Sequence, residues 1–421
     1  MNDESVLKPL LTHVATPEFV VGAGAAARMM PRAASKDGGI LLIDAHVRRR
    51  HPQLASRARQ VVSFDPETES QRDVLERACA DGLNRDVAES AGDRLRASAH
   101  DDVIAIGGGS VMDTAKLLRL RLLRDSSFRS VQHGALTFGV SMLPETWSRG
   151  APKLTLIPTT LGTGSEASAV ACLVGDDRSR RLVVGSLMRA DVVVLDAALT
   201  RSLDDRAVRE GVVELLLRVI GAYAGSPVSR VPDLAAEELV SRVAGLASFG
   251  IRGSFDEPLR ESLMLASAET HTGWTLAGRS PFGAKHWYLA NELSSAAGLR
   301  KVPVSLGLLP AIWQRILDGD GRLGDAGRLR RLWEVVAGRL DLPRDPVCGA
   351  VAWGRTWGLE IPSIAADVVR VAARRCFEVW AGGRPALPGL TEAEILAVYA
   401  AAFPWSGAGR ADATERKGVN R

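Results

Sequence analysis

The chain has 421 residues, 46% of them hydrophobic and 24% charged, a length and balance that suit a globular protein of two domains. Its net charge is only +4, and although 46 of the 53 basic residues are Arg, they are scattered without a dense stripe interleaved with aromatics, so nucleic-acid binding is not expected. No stretch reaches the roughly 18 apolar residues of a membrane span, the N-terminus lacks the basic start and apolar core of a signal peptide, and Cys79, Cys172, Cys348 and Cys376 form no CxxC pair; the expectation is a cytoplasmic chain with reduced thiols.

In chain order, Phe19-Val20-Val21 predicts a first strand, closed by Gly22-Ala23-Gly24. Gly39 to Ile43 predicts a second, ending at Asp44, and Val61 to Phe64 a third. Residues 70–98 place apolar side chains at helical spacing. Val103 to Ile106 and Leu154 to Ile157 predict two more buried strands. Short β-branched runs separated by helices indicate a parallel sheet with helices on its faces. From about residue 204 the pattern changes to successive helices, at roughly 206–224, 233–249, 258–278, 284–298, 305–317, 325–339, 362–382 and 391–402, punctuated by prolines at 303, 343, 346, 385 and 388. The expected organisation is an α/β domain over 1–200, an all-α domain over 201–405 and a loose tail over 406–421.

Two stretches carry the chemistry. Residues 101–118, DDVIAIGGGSVMDTAKLL, run a strand into Gly107-Gly108-Gly109-Ser110 and then a helix, with Asp113 and Lys116 on its first turns. Glycines let the backbone approach a ligand closely, and the new helix offers unpaired N–H groups and a positive dipole end, together a phosphate cradle. Residues 154–168, LTLIPTTLGTGSEAS, place Thr159, Thr160, Thr163 and Ser165 on a glycine-loosened loop, suited to polar contacts with a ligand. A tight turn and a helix-capping loop without ligand are the bland alternatives.

GGGSVMDTAK and IPTTLGTGSE, about 50 residues apart, resemble the iron-containing alcohol dehydrogenases, of the superfamily that includes dehydroquinate synthase and glycerol dehydrogenase. FVVGAGAAARM, LLID and DVVVLDAALTRSL look like further parts of that pattern, so the resemblance covers roughly residues 15–320. It implies an N-terminal dinucleotide-binding domain, a helical C-terminal domain and a cleft between them. Carried onto this sequence, Gly107, Gly108, Gly109 and Ser110 would hold a pyrophosphate, while Asp113, Thr159, Thr160, Thr163 and Ser165 would line the cofactor. Asp44 would accept bonds from the adenosine ribose, favouring NAD over NADP by repelling a 2′-phosphate, with His46 and Arg48 acting against that preference.

Histidine is scarce: seven in all, of which only His271 and His286 follow residue 210. The family's four metal-ligand positions fall on Glu214, Arg218, His286 and Val302, with Ala290 where a further family histidine would stand. Arg and Val cannot ligate, and zinc or iron normally needs at least three protein ligands, so a tightly bound divalent metal is not expected; Glu214 and His286 are residual positions. Arg218, one turn from Glu214, is expected to pair with it, either standing in for the metal's charge or filling a dead site. Lys285 and His286 join Arg218 as candidate catalytic groups, His286 being equally readable as a core histidine.

The expected function is that of an NAD(H)-dependent oxidoreductase interconverting an alcohol and a carbonyl, on a small-molecule or peptide-terminus substrate. A secondary-metabolite setting is expected, by resemblance that of daptide-type peptide tailoring. Two alternatives remain: a non-catalytic or activating subunit that binds dinucleotide beside a partner enzyme, and a carbocycle-forming lyase like dehydroquinate synthase, which the replaced ligands disfavour. The resemblance also implies a homo-oligomer.

Overall fold

The computed structural model describes residues 17–33, 39–56, 58, 60–80 and 102–403. The expected tail and most of the helical stretch over 70–98 beyond residue 80 lie outside the described residues. Among the described residues nine strands run in chain order as β1 (Glu18–Val21), β2 (Ile40–Asp44), β3 (Gln60–Phe64), β4 (Val103–Gly107), β5 (Val140–Met142), β6 (Leu154–Pro158), β7 (Val170–Val174), β8 (Arg180–Val184) and β9 (Val192–Leu195). Six form a parallel sheet in the order β1-β9-β6-β4-β2-β3.

The continuous apolar runs of that sheet reflect burial on both faces. Ile40, Leu42, Val103, Ala105, Leu154 and Leu156 pack into one core, while Leu41, Ile43, Ile104, Ile106 and Ile157 pack into another on the opposite side. Helices α1 (Ala25–Ala33) and α2 (Ala45–Arg50) cover the smaller core; α3 (Gln71–Ala80) and α4 (Gly109–Leu123) belong to the larger one, and α5 (Asp125–Phe138) follows α4. A second sheet, β5-β8-β7, was not predicted. Its β7 and β8 alternate buried with half-buried residues, a weaker signal than the main sheet's fully apolar runs.

After β9 every element described is helical: α6 (Asp205–Ala224), α7 (Arg230–Arg252), α8 (Glu257–Thr272), α9 (Lys285–Ala297), α10 (Lys301–Leu317), α11 (Ala326–Leu340), α12 (Pro346–Thr356), α13 (Ala366–Trp380) and α14 (Glu392–Ala402), besides short 3-10 turns. The fold is therefore the expected parallel α/β sheet followed by a helical region. Several helix ends shift by a few residues from expectation, and two of the larger differences turn on proline. Helix α12 was missed because Pro343 and Pro346 read as breakers, whereas Pro346 is its first residue, where a missing N–H does no harm. Helix α10 begins at Lys301 rather than 305, with Pro303 tolerated in its first turn. No described helix is long and apolar enough to cross a membrane.

Candidate active site

A cleft of about 1410 Å³ runs from the end of β2 past the start of α4 to the helical region, lined at one end by Asp44 and at the other by Glu214, His286 and Lys301. Its middle is the glycine turn. Gly108 precedes α4 with no side chain capping it, so the first amides of the helix face the cleft beside Gly109 and Ser110. A Cβ on Gly108 would lie 3.1 Å from the Thr160 side chain, so turn and loop are in close contact. Thr160 Oγ1 is buried and has no hydrogen-bond partner among the described residues. Such an orphan beside open amides is what a polar ligand would satisfy.

The other expected cofactor residues are placed as follows. Thr159, Thr163, Ser165 and Asp113 line the cleft, and Ser165 Oγ donates to Asp113 Oδ1 at 2.5 Å. Burial pushes the Asp113 carboxyl up, opposed by Lys116. Lys116 itself is fully buried and donates to the Ser168 and Val170 carbonyls at 3.2 and 2.7 Å, so it ties α4 to the loop after Ser165. Gly107 does not face the cleft; it is buried, and a Cβ there would meet Val111 at 2.7 Å, making it a packing glycine. Asp44 caps α2, its Oδ1 accepting from the His46 and Val47 amides at 2.8 and 3.2 Å. His46, Arg50 and His51 line the cleft near it.

In the helical half the arrangement departs from expectation. Glu214 does not pair with Arg218: Lys301 Nζ donates to Glu214 Oε1 at 2.6 Å. Burial raises the Glu214 pKa, but Lys301 first and Arg218 second outweigh it and hold the carboxyl below its ordinary value. Arg218 instead clamps the loop, donating to the Gly162 carbonyl, to the Thr163 carbonyl at 2.5 Å and to Thr270 Oγ1 at 2.9 Å. The backbone comes this close because Gly162 has φ +87° and a Cβ on it would lie 1.9 Å from the Gly211 carbonyl of α6.

His286 is 8% exposed, and a Cβ on Gly221 would meet its ring at 2.7 Å. Burial, reinforced by Lys301, pulls its pKa down from 6.5 to about 4, so the ring is neutral near pH 7. His271 also lines the cleft, and burial, then Arg218, hold it well below 6.5. Lys285 is a correction: its ammonium donates to the Ala386 carbonyl at 2.8 Å and does not line the cleft. Val302 lines the cleft, and Ala290 is fully buried. Among the described residues no group of three or more His, Cys, Asp or Glu is arranged to hold a metal ion.

Sequence reasoning missed Lys301, Thr270 and the cation–π contact between Lys301 and the Trp287 ring, 5.5 Å to its centroid. A signal is present in the sequence: Lys301 stands beside Val302, but Pro303 in the next position masks the start of α10.

The family model for iron-containing alcohol dehydrogenases matches residues 17–197. Long-chain-alcohol dehydrogenase 1 of Geobacillus thermodenitrificans is 30% identical over 312 residues, 72% of this chain and 75% of that protein. A probable alcohol dehydrogenase of Escherichia coli, EutG, is 32% identical over 190 residues. There the match takes in 44% of this chain and 45% of the relative, so the chain spans about half the length of some relatives it matches. Among solved structures, the NADH-dependent butanol dehydrogenase A of Thermotoga maritima superposes with a TM-score of 0.71 at 14% identity, covering 92% of this chain and 97% of that one.

Proposed function

The chain belongs to the iron-containing alcohol dehydrogenase family, and we propose that within it this protein is an NAD(H)-dependent oxidoreductase that interconverts an alcohol and a carbonyl without a tightly held divalent metal. The carrying observation is the single cleft that joins Asp44, the open start of α4 and Thr160 to Glu214 and His286. A dinucleotide needs that span: ribose at one end, pyrophosphate on the helix N-terminus and nicotinamide by the reacting groups.

The amides around Gly108, Gly109 and Ser110 would hold the pyrophosphate, and the orphaned Thr160 hydroxyl would gain a partner. Asp44 spends Oδ1 on its own helix, which leaves Oδ2 for a ribose hydroxyl and puts negative charge where NADP would carry a phosphate. When bound, the nicotinamide gives or takes the hydride.

A divalent metal does not fit the donor set. Glu214 is taken by Lys301, Arg218 brings a second fixed charge, and of the four family positions only Glu214 and His286 bear donor side chains. The catalytic end is bordered by Leu217, Leu276, Pro281, Trp287 and Val302, which suits a substrate with an apolar body. The reading extends to a specialised substrate from secondary metabolism or a modified peptide terminus.

Titration with NADH, followed by nicotinamide fluorescence, tests the reading. Saturable enhancement at micromolar to submillimolar cofactor is expected; no binding at millimolar NADH would sink it. NADH binding without turnover by the isolated chain would favour the activating-subunit alternative.

A further inference from the structure

Reduction of a carbonyl places negative charge on its oxygen, and a site without a metal must meet that charge with a donor of its own. Around Glu214 the cleft places Arg180, Arg218, His286 and Lys301, and Arg180 donates to Ser294 Oγ at 3.3 Å. Arg218 has both terminal nitrogens committed to the Gly162 and Thr163 carbonyls and to Thr270. His286 is neutral and brings no charge. Lys301 differs from these. Its ammonium has three donors and directs one of them to Glu214.

The placement of Lys301 is specific. It is the first residue of α10, its side chain is 23% exposed and it lines the cleft. Glu214 fixes Nζ from α6, and the Trp287 ring of α9 lies beneath it. Its neighbour Val302 and its partner Glu214 are two of the positions where the family resemblance puts metal ligands. Three helices, α6, α9 and α10, therefore converge on one ammonium among the positions where the resemblance puts metal ligands.

Resting on the oxidoreductase reading above, we propose that Lys301, held by Glu214, replaces the divalent cation, and that its ammonium binds the reacting oxygen of the substrate. In the reductive direction the carbonyl carbon gains a hydride and the π pair moves to oxygen. The oxygen takes a proton from the Lys301 ammonium, and water in the open cleft returns it. The carbonyl is reduced and the dihydronicotinamide oxidised; the reverse direction returns hydride and proton by the same route. Glu214 is a positioning residue, because it acts through Lys301.

The test uses the full chain after EDTA treatment, with NADH and a series of straight-chain and aromatic aldehydes. Lys301→Met is expected to lower kcat at least 100-fold while NADH affinity stays within twofold, and Lys301→Arg to recover part of the loss. Methylammonium added to Lys301→Ala is expected to restore turnover, which a purely structural role would not produce. Independently of turnover, isobutyramide binding to the NADH complex, read by nicotinamide fluorescence, is expected to weaken at least tenfold in Lys301→Met. Retention of kcat within threefold, or unchanged isobutyramide affinity, overturns the proposal. So does a wild-type chain that binds NADH but turns over none of the aldehydes, a result that leaves dinucleotide binding standing; absence of NADH binding removes the oxidoreductase reading itself.

Discussion

His286 lies against Gly221 with its pKa lowered from 6.5 to about 4, chiefly by burial. The unfolded chain takes up this proton near pH 6.5 and the folded one only near pH 4, so the stability tied to the neutral ring is complete above pH 6.5 and is lost as pH falls toward 4. The fall from 6.5 to about 4 corresponds to roughly 3 kcal/mol. Chemical denaturation at pH 7 and pH 4.5 should show that loss, and His286→Gln should flatten it; an equally steep profile in the variant would contradict the assignment. Arg218 offers a second residue-scale prediction. Arg218→Met leaves the Gly162 and Thr163 carbonyls and Thr270 without their donor, so a loss of about 3 kcal/mol is expected, together with at least tenfold weaker NADH binding. Arg218, Glu214 and His286 were legible in the sequence because the resemblance fixes their positions. Their partners were not, because Lys301 is 87 residues from Glu214 in sequence and Thr270 is 52 from Arg218.

Among elements, the loop after β6 is held by one close crossing. Gly162, with φ +87°, packs against Gly211 of α6, and a Cβ would penetrate the Gly211 carbonyl. Gly162→Ala is therefore expected to destabilise by at least about 3 kcal/mol through strain and overpacking. It should also weaken NADH binding, since the same loop carries Thr160 and Thr163; thermal unfolding and a cofactor titration check both. The strand-to-glycine-to-helix unit at β4 and α4 was readable from sequence alone, because apolar run, glycines and helical spacing follow one another directly. The starts of α10 and α12 were hidden, since proline breaks a helix interior but is accepted in its first turn. The β7–β8 hairpin was hidden by half-buried alternation in two short strands.

At the scale of the molecule, the parallel sheet supplies the glycine turn and the helical region supplies Glu214, His286 and Lys301, and the cleft joins them. Asp44→Ser keeps a capping oxygen for α2 while removing the charge, so it is expected to narrow the preference for NADH over NADPH at least tenfold, measured as the ratio of dissociation constants. Histidine scarcity was a sequence fact from the start; the ammonium beside Glu214 gives it a chemical meaning that the count alone lacked. The most direct test of a charge-for-metal exchange is elemental analysis of the purified chain combined with its NADH-dependent aldehyde turnover before and after EDTA. The expected result is far less than one zinc or iron per chain and an unchanged rate. One firmly held metal per chain, with activity lost on chelation and restored by that metal, would contradict the account.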